Sequence, residues 1–468
     1  MEYRIEKDSM GEVKVPIGAY YGAQTQRAVD NFRVSNLRLP RSFVAAQAII
    51  KKAAARAHMD SGLLDKTIGE ALVRAADEII AGKFDEHFVV DAFQAGAGTS
   101  QNMNVNEVMA NRASEIITGR TGGFGRVHPN DHANMGQSTN DTIHVAIHIS
   151  GYIEIRQKLL PAIERLEKAL AGKAAEFDDI IKSGRTHLQD AVPMRLGQEF
   201  GGFAAMAGNS RRRVEHAAEG LLELCLGGTA VGTGLNTEAG YKEEAIRYIN
   251  EATGYHFRKA NNLFEAMQNL DAVVEVSGTL RVLVTGLKKI ADDFRLLSSG
   301  PRTGLAEIQL PAVQPGSSIM PGKVNPVLAE MLDMVCFHAL GCDSTILYAA
   351  QAGQLQLNVM MPIVGYNLLQ MVDILTGGIN SFVERCVTGI TADEKQCRLY
   401  AEKSTALATA LNPHIGYQKA AELAKEALEK DELIRDLVIS HKIIDPDQAD
   451  KILDIRSMTI NPEEKSKK

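Results

Sequence analysis

The sequence predicts a mostly α-helical protein built around a central bundle of long helices. Three observations carry this. Apolar residues recur at three- and four-residue steps over long stretches, the period of a helix face. Aromatic residues make up 5% of the 468, tryptophan is absent and methionine numbers 16, which suits helices packed by aliphatic side chains better than a β-sandwich. Polar, Gly-rich segments interrupt the periodic stretches and mark where helices stop.

Taken in order, the first 40 residues hold Pro16, Gly18, Gly22 and Pro40 and read as turn-rich. From Ser42 to Ala81 the chain is rich in Ala, Ile and Lys without internal Pro, so two helices fit there, broken near Gly62. A long helix is expected after Asn140-Asp141, because Asn or Asp ahead of an apolar run is a good N-cap. Leu159, Ile163, Leu166 and Leu170 continue it, with Pro161 placed to kink or split it. Similar patterns run from Arg195 to Leu224 and from Pro326 to Ile374. The clearest spans Phe264 to Leu297, where Leu270, Val273, Leu280, Val284, Leu287 and Phe294 form one row and Val276, Leu283, Ile290 and Leu297 another. As one helix it would be a rod of roughly 50 Å. Two apolar rows need neighbours on both sides, and such rods usually bury the second face against another subunit; a large monomeric bundle is the alternative. Pro413, Pro446 and Pro462 punctuate shorter helices in the last 75 residues, and the charged tail 463–468 reads as frayed. The resulting division is an N-terminal helical domain (1–140), a central long-helix bundle (141–393) and a small C-terminal helical domain (394–468), in keeping with the length.

Composition narrows the function. Lys and Arg total 51 against 58 Asp and Glu, a net charge of −7, so nothing argues for a nucleic acid partner. Five cysteines, an odd number without a CxxC pair, read as reduced thiols and exclude a zinc ribbon. The first residues carry no apolar signal core, and no uncharged apolar run is long enough to span a membrane. The expected location is the cytoplasm.

Four segments have the composition of anion sites: Gly96–Asn104, Gln137–Asp141, Gly184–Asp190 and Gly316–Pro326. Small hydroxyls and amides beside free N–H groups at helix N-termini hold carboxylates or phosphates; plain capping is the bland reading of any one of them. In the fourth, Gly316 and Gly322 bracket Ser317-Ser318, with Pro315 and Pro321 as stiffeners and Lys323 adding charge. A turn of exposed N–H groups can stabilise a serine alkoxide, which could then remove a carbon-bound proton. A Ser nucleophile with a His base is the commoner role, but no GxSxG elbow is present. His144 and His148 have the i, i+4 spacing of metal ligands without a third ligand, so no metal site is expected.

Gly316-Ser317-Ser318-Ile319-Met320-Pro321-Gly322-Lys323-Val324-Asn325-Pro326 closely resembles the signature of the aspartase/fumarase superfamily. Gly184–Asp190 and Gly227–Asn236 also resemble family segments, and the likeness runs from Arg4 to the C-terminal region. The resemblance implies a mostly α, three-domain fold, a homotetramer with a 20-helix core, and active sites shared between subunits. It implies reversible anti-elimination from a succinyl compound to give fumarate, without cofactor or metal. By position in the motifs, Ser317 would be the general base. Thr99, Ser138, Thr139 and Ser318 would hold the β-carboxylate, with Ser100 beside them. Thr186, Lys323 and Asn325 would hold the α-carboxylate. Asn140 and His187 would meet the leaving amine, with Glu330 orienting His187. A structural or binding protein on the same scaffold is the non-enzyme alternative, and this intact residue set argues against it.

Within the superfamily, Ala19–Gly22, Gly96–Ser100, Gln137–Asp141, Ala191–Pro193 and Ala352–Met360 resemble aspartate ammonia-lyases. Gly22–Arg27 and Asn31–Ser35 lean toward class II fumarate hydratases, the alternative. Two departures stand out. Thr142-Ile143-His144-Val145 replaces an aromatic-Pro step usual in both groups, and Met361 stands where aspartases usually place Glu.

Overall fold

A computed structural model of the chain describes residues 2–120 and 122–460. Pro462 and the charged tail lie outside them. The chain divides into two compact units: Met1–Pro161 with Arg212–Val284 and Phe337–Thr376, and Ala162–Arg211 with Thr285–Cys336 and Gly377–Lys468.

The first unit opens not on loose turns but on an antiparallel hairpin, β1 (Tyr3–Asp8) and β2 (Gly11–Pro16). Its ladder is only six residues long, too short to stand out as an alternating pattern. Arg27, on α1 (Ala23–Asn31), grips Asp8 through two hydrogen bonds of 2.8 and 3.0 Å and ties that helix to the hairpin. The next two helices fall where expected, as α2 (Arg41–Asp60) and α3 (Lys66–Ile80). Gly62 takes the left-handed φ of +74° that ends the first, and Asp65 caps the second. Val44 and Ala48 of α2, Leu72 and Ile79 of α3, and Val105, Val108 and Met109 of α4 (Thr99–Thr118) form the unit's core.

The helix expected after Asn140-Asp141 is α5 (Thr139–Glu154), and its cap lies earlier, at Ser138. Ser138 Oγ accepts from the Asn140 N–H and the Asp141 carboxylate accepts from the Ser138 N–H, a reciprocal capping box. Pro161 acts as expected. It has no N–H to give the carbonyl four residues back, and the chain widens into a π turn at Ile155–Leu159 before continuing as α6 (Leu160–Glu176).

Two expected rods are shorter. Residues 264–297 are not one helix but α9 (Leu263–Gln268) and α10 (Asp271–Leu297), parted at Asn269, which is extended at φ −108° and ψ 156°. Asn269 gives its carbonyl to His144 Nε2 at 3.1 Å, and α10 restarts behind Asp271 as a helix of 27 residues. The stretch 326–374 is likewise α11 (Val327–Ala350) and α12 (Met361–Arg385). Asn358 Nδ2 donates to the last carbonyls of α11, Ala349 and Ala350, and Pro362 sits in the first turn of α12. The pattern from Arg195 becomes α7 (Leu196–Ala218). The apolar rows themselves are as expected: Leu270, Val273, Leu280, Leu283, Val284, Leu287, Ile290 and Phe294 are all buried.

In the second unit, Phe200, Phe294 and Phe382 stack with ring centroids 5.4 and 5.5 Å apart. Shorter helices follow residue 394, as expected, and pack around Leu407, Leu411, Leu423, Leu437 and Val438. The segment 184–190 is not a loop leading into a helix. It is the tip of a hairpin, β3 (Ile181–Thr186) against β4 (Gln189–Arg195), anchored by buried Glu307, which accepts from Arg185 at 2.8 Å and pairs with Lys182 at 2.9 Å. No described helix is long and apolar enough to cross a membrane.

Candidate active site

In the first unit, Gly96–Gly98 forms a tight turn with Ala97 and Gly98 at φ 61° and 85°, so α4 starts at once with Thr99. Thr99 and Ser100 therefore lie in a helical first turn, Thr99 exposed and Ser100 buried. Ser138, Thr139 and Asn140 open α5 in the same way and are half-buried. Asn102, one turn along α4, links the two helix starts by donating to Thr139 Oγ1 at 3.2 Å. As the capping residue, Ser138 spends its oxygen lone pair on the Asn140 N–H and keeps its own proton free to donate.

The segment 227–236 closes over this start. Asp141 Oδ2 accepts from the N–H groups of Gly227 and Thr229 at 3.0 and 3.1 Å, and Asn140 Nδ2 donates to the Ala230 carbonyl at 2.8 Å. Asp141 is fully buried, and burial pushes its carboxyl up to about 7 against the pull of those N–H groups. Beneath them, on α2, lies Lys51, equally buried, whose ammonium burial pushes down to about 7. It donates to Asn102 Oδ1 at 2.9 Å, Gln137 Oε1 at 3.3 Å and Asn134 Oδ1 at 3.4 Å.

In the second unit, Thr186 ends β3 and His187 with Leu188 forms the two-residue turn at the exposed hairpin tip. Both turn residues hold positive φ, 56° and 57°, a conformation usually left to Gly or Asn in such turns. The fourth segment is a closed loop. Gly316 N–H donates to the Lys323 carbonyl at 2.8 Å, and Asn325 Nδ2 donates to the Gly316 carbonyl at 2.6 Å. A side chain at 316 would meet the Lys323 carbonyl oxygen at 2.4 Å, so only glycine fits. Ser317 Oγ accepts from the N–H groups of Ile319 and Met320 at 3.2 and 2.9 Å. Two donors on one hydroxyl oxygen favour its negative form. Ser318 and Lys323 are exposed, and Glu330 sits in the first turn of α11. Among the described residues no hydrogen bond joins Glu330 to His187.

The predicted residues thus form three groups: Thr99 to Asn140 in the first unit, and the hairpin tip and the 316–330 loop in the second. Lys51 was missed by sequence reasoning. A signal existed, because Val44, Ala48, Lys51 and Ala55 share one buried helical face, where a lysine is out of place.

A family described as lyase matches residues 11–341, and one described as fumarase C C-terminus matches 407–460. The aspartate ammonia-lyase of Bacillus subtilis is 47% identical over 98% of this chain and 96% of its own length. This chain belongs to the aspartase/fumarase superfamily of lyases. A class II fumarate hydratase from Halobacterium salinarum is 49% identical over 98% of this chain and 97% of its own. The crystal structure of a fumarate lyase/delta crystallin from Brucella melitensis, bound to cobalt, superposes with a TM-score of 0.95 at 47% identity, covering 98% of this lyase and 100% of that chain. The class II fumarase of Schistosoma mansoni superposes at 0.96 with 38% identity, covering 98% and 99%.

The stretch Thr142–Val145 and Met361, which depart from the expected family pattern, are internal. His144 Nε2 meets the Asn269 carbonyl, His148 Nδ1 meets the Glu223 carbonyl at 2.8 Å, and the two rings lie 4.5 Å apart. Burial, then the neighbouring ring, pushes His148 down to about 3, so it is neutral. Among the described residues no trio of His, Cys, Asp or Glu is placed to hold a metal ion. Met361 is buried as the first residue of α12. All five thiols are free and buried.

Proposed function

We propose that this lyase is an aspartate ammonia-lyase, catalysing reversible anti-elimination of ammonia from L-aspartate to give fumarate. One observation carries the choice of leaving group. Asn140 commits one of its two amide N–H groups to the Ala230 carbonyl, which fixes the amide with its Oδ1 available as an acceptor. An ammonium at Cα needs acceptors, whereas a departing hydroxide needs a proton donor. A ring nitrogen of His187 would offer a second acceptor, with Glu330 orienting the ring.

In this scheme Ser317 takes the Cβ proton, its alkoxide supported by the N–H groups of Ile319 and Met320. The β-carboxylate then becomes a doubly negative aci-carboxylate. Thr99, Ser138, Thr139 and Ser318, with Ser100 beside them, donate to it, and donors that tighten onto developing charge supply most of the rate. Thr186, Lys323 and Asn325 hold the α-carboxylate. The chemistry uses side chains and backbone N–H groups alone, in a cytoplasmic enzyme.

The competing reading is a class II fumarate hydratase, favoured by the 49% identity to the Halobacterium enzyme. The carboxylate clamps serve both reactions and cannot discriminate. We expect L-aspartate to exceed L-malate by at least about 100-fold in kcat/KM, about 2.7 kcal/mol of transition-state discrimination. Fumarate release followed by ultraviolet absorbance decides it: equal or faster release from L-malate would reassign the enzyme.

The three segments 1–140, 141–393 and 394–468 would assemble as a homotetramer with a 20-helix core and shared sites. Met334, Phe337 and Tyr348 on α11 are 64%, 58% and 68% exposed in the single chain, and a second copy would bury them. Multi-angle light scattering should give about four times 50.8 kDa. An active monomer at micromolar concentration would rule out both the shared site and the bundle.

A further inference from the structure

Lys51 has no place in the scheme above, yet its surroundings are built. Its ammonium is buried, and the three oxygens it donates to belong to uncharged amides, Asn102, Asn134 and Gln137. Among the described residues it forms no ion pair. A buried cation without a salt-bridge partner is rare unless something else supplies the negative charge. Asp141 is the acid whose charge acts on it, and that carboxylate is committed to three backbone N–H groups.

The direction of the hydrogen bonds says what the charge does. An ammonium only donates, so the Asn102 oxygen must face Lys51 and the Asn102 NH₂ must face away. That NH₂ donates to Thr139 Oγ1. With its oxygen accepting there, Thr139 has its own proton free to point elsewhere. The second N–H of the same NH₂ faces Asn134 Oδ1 at 3.2 Å, which fits the same amide orientation.

We propose that Lys51 is a positioning residue of the carboxylate site: through Asn102 it holds Thr139 as an outward donor to the carboxylate that becomes doubly negative, and its positive form would favour that dianion. The inference rests on the assignment of Thr139 to that carboxylate, and holds for either leaving group. It differs from a merely structural role in one respect. A positioning charge favours the dianionic carboxylate over the ordinary one, whereas a packing lysine treats them alike.

The test compares two inhibitors on the full-length enzyme: succinate, which carries two ordinary carboxylates, and the nitronate of 3-nitropropionate, isoelectronic with the aci-carboxylate. Lys51→Met keeps the side-chain length and removes the charge. It should weaken nitronate binding about 30-fold more than succinate binding, and lower kcat more than it raises KM. Asn102→Asp is the second variant and decides the matter should Lys51→Met not fold. Its carboxylate would pair with Lys51 but could not donate to Thr139, whose proton would turn inward, with the same selective loss. Equal losses for both inhibitors, or none, would overturn the role of Lys51. Thr139→Val separates the two levels: if it binds the nitronate like wild type, the carboxylate assignment itself is wrong, whatever Lys51 does.

Discussion

Ser317→Ala is expected to abolish elimination while leaving the assembly folded. The hydroxyl is half-buried in an exposed surface loop, which the Gly316–Lys323 backbone bond and Asn325 would still close without it. Loss of a general base usually lowers the rate by about 10²–10⁴-fold. Here it should exceed that range. The proposed base would be an alkoxide held by the N–H groups of Ile319 and Met320, and a water entering the gap would be neither so oriented nor so basic. Steady-state turnover of the variant, with its oligomeric mass measured against wild type alongside, checks both halves. Turnover close to wild type would remove Ser317 from the role of base.

Asp141→Ala is expected to destabilise the first unit strongly. Its carboxylate accepts the N–H groups of Ser138, Gly227 and Thr229 in a place shut off from water. Each buried donor left without an acceptor costs about 1–3 kcal/mol, and partial filling of the gap by water brings the sum to about 4 kcal/mol. Asp141→Asn should fall between, because its amide oxygen still accepts while its NH₂ confronts a backbone donor. Urea unfolding at fixed protein concentration measures both. A loss under about 1 kcal/mol for the alanine variant would show that the 227–236 segment is held by other contacts.

Much of this was legible from residue types and spacing. The apolar rows of α10 announce a long buried helix because a 3.6-residue period sustained over that length fits neither a strand nor a loop. Interruptions were harder. Nothing in the row from Phe264 onward forbids continuing through Asn269; the break depends on His144, far away in sequence. The hairpin that carries Thr186 and His187 was also hidden. Its strands are short, and its turn uses His-Leu rather than the Asn-Gly that would signal one. The site groups followed from motif resemblance, since helix starts rich in Ser, Thr and Asn are otherwise ordinary caps. Lys51 escaped because it sits beside Lys52, and a pair of lysines reads as solvated surface until helical phase is considered.

The turn at His187 and Leu188 sets two selection pressures against each other. Left-handed backbone at a residue with a Cβ costs roughly 1 kcal/mol or more, so glycine at either position would relax the hairpin. At Leu188 that change touches no residue in the proposed chemistry. At His187 it would erase the imidazole. Stabilisation of this enzyme by design therefore has a rule of exclusion that no energy function supplies by itself. Of two adjacent residues with the same strain, one is free to be repaired, and the other has to be inherited as it is.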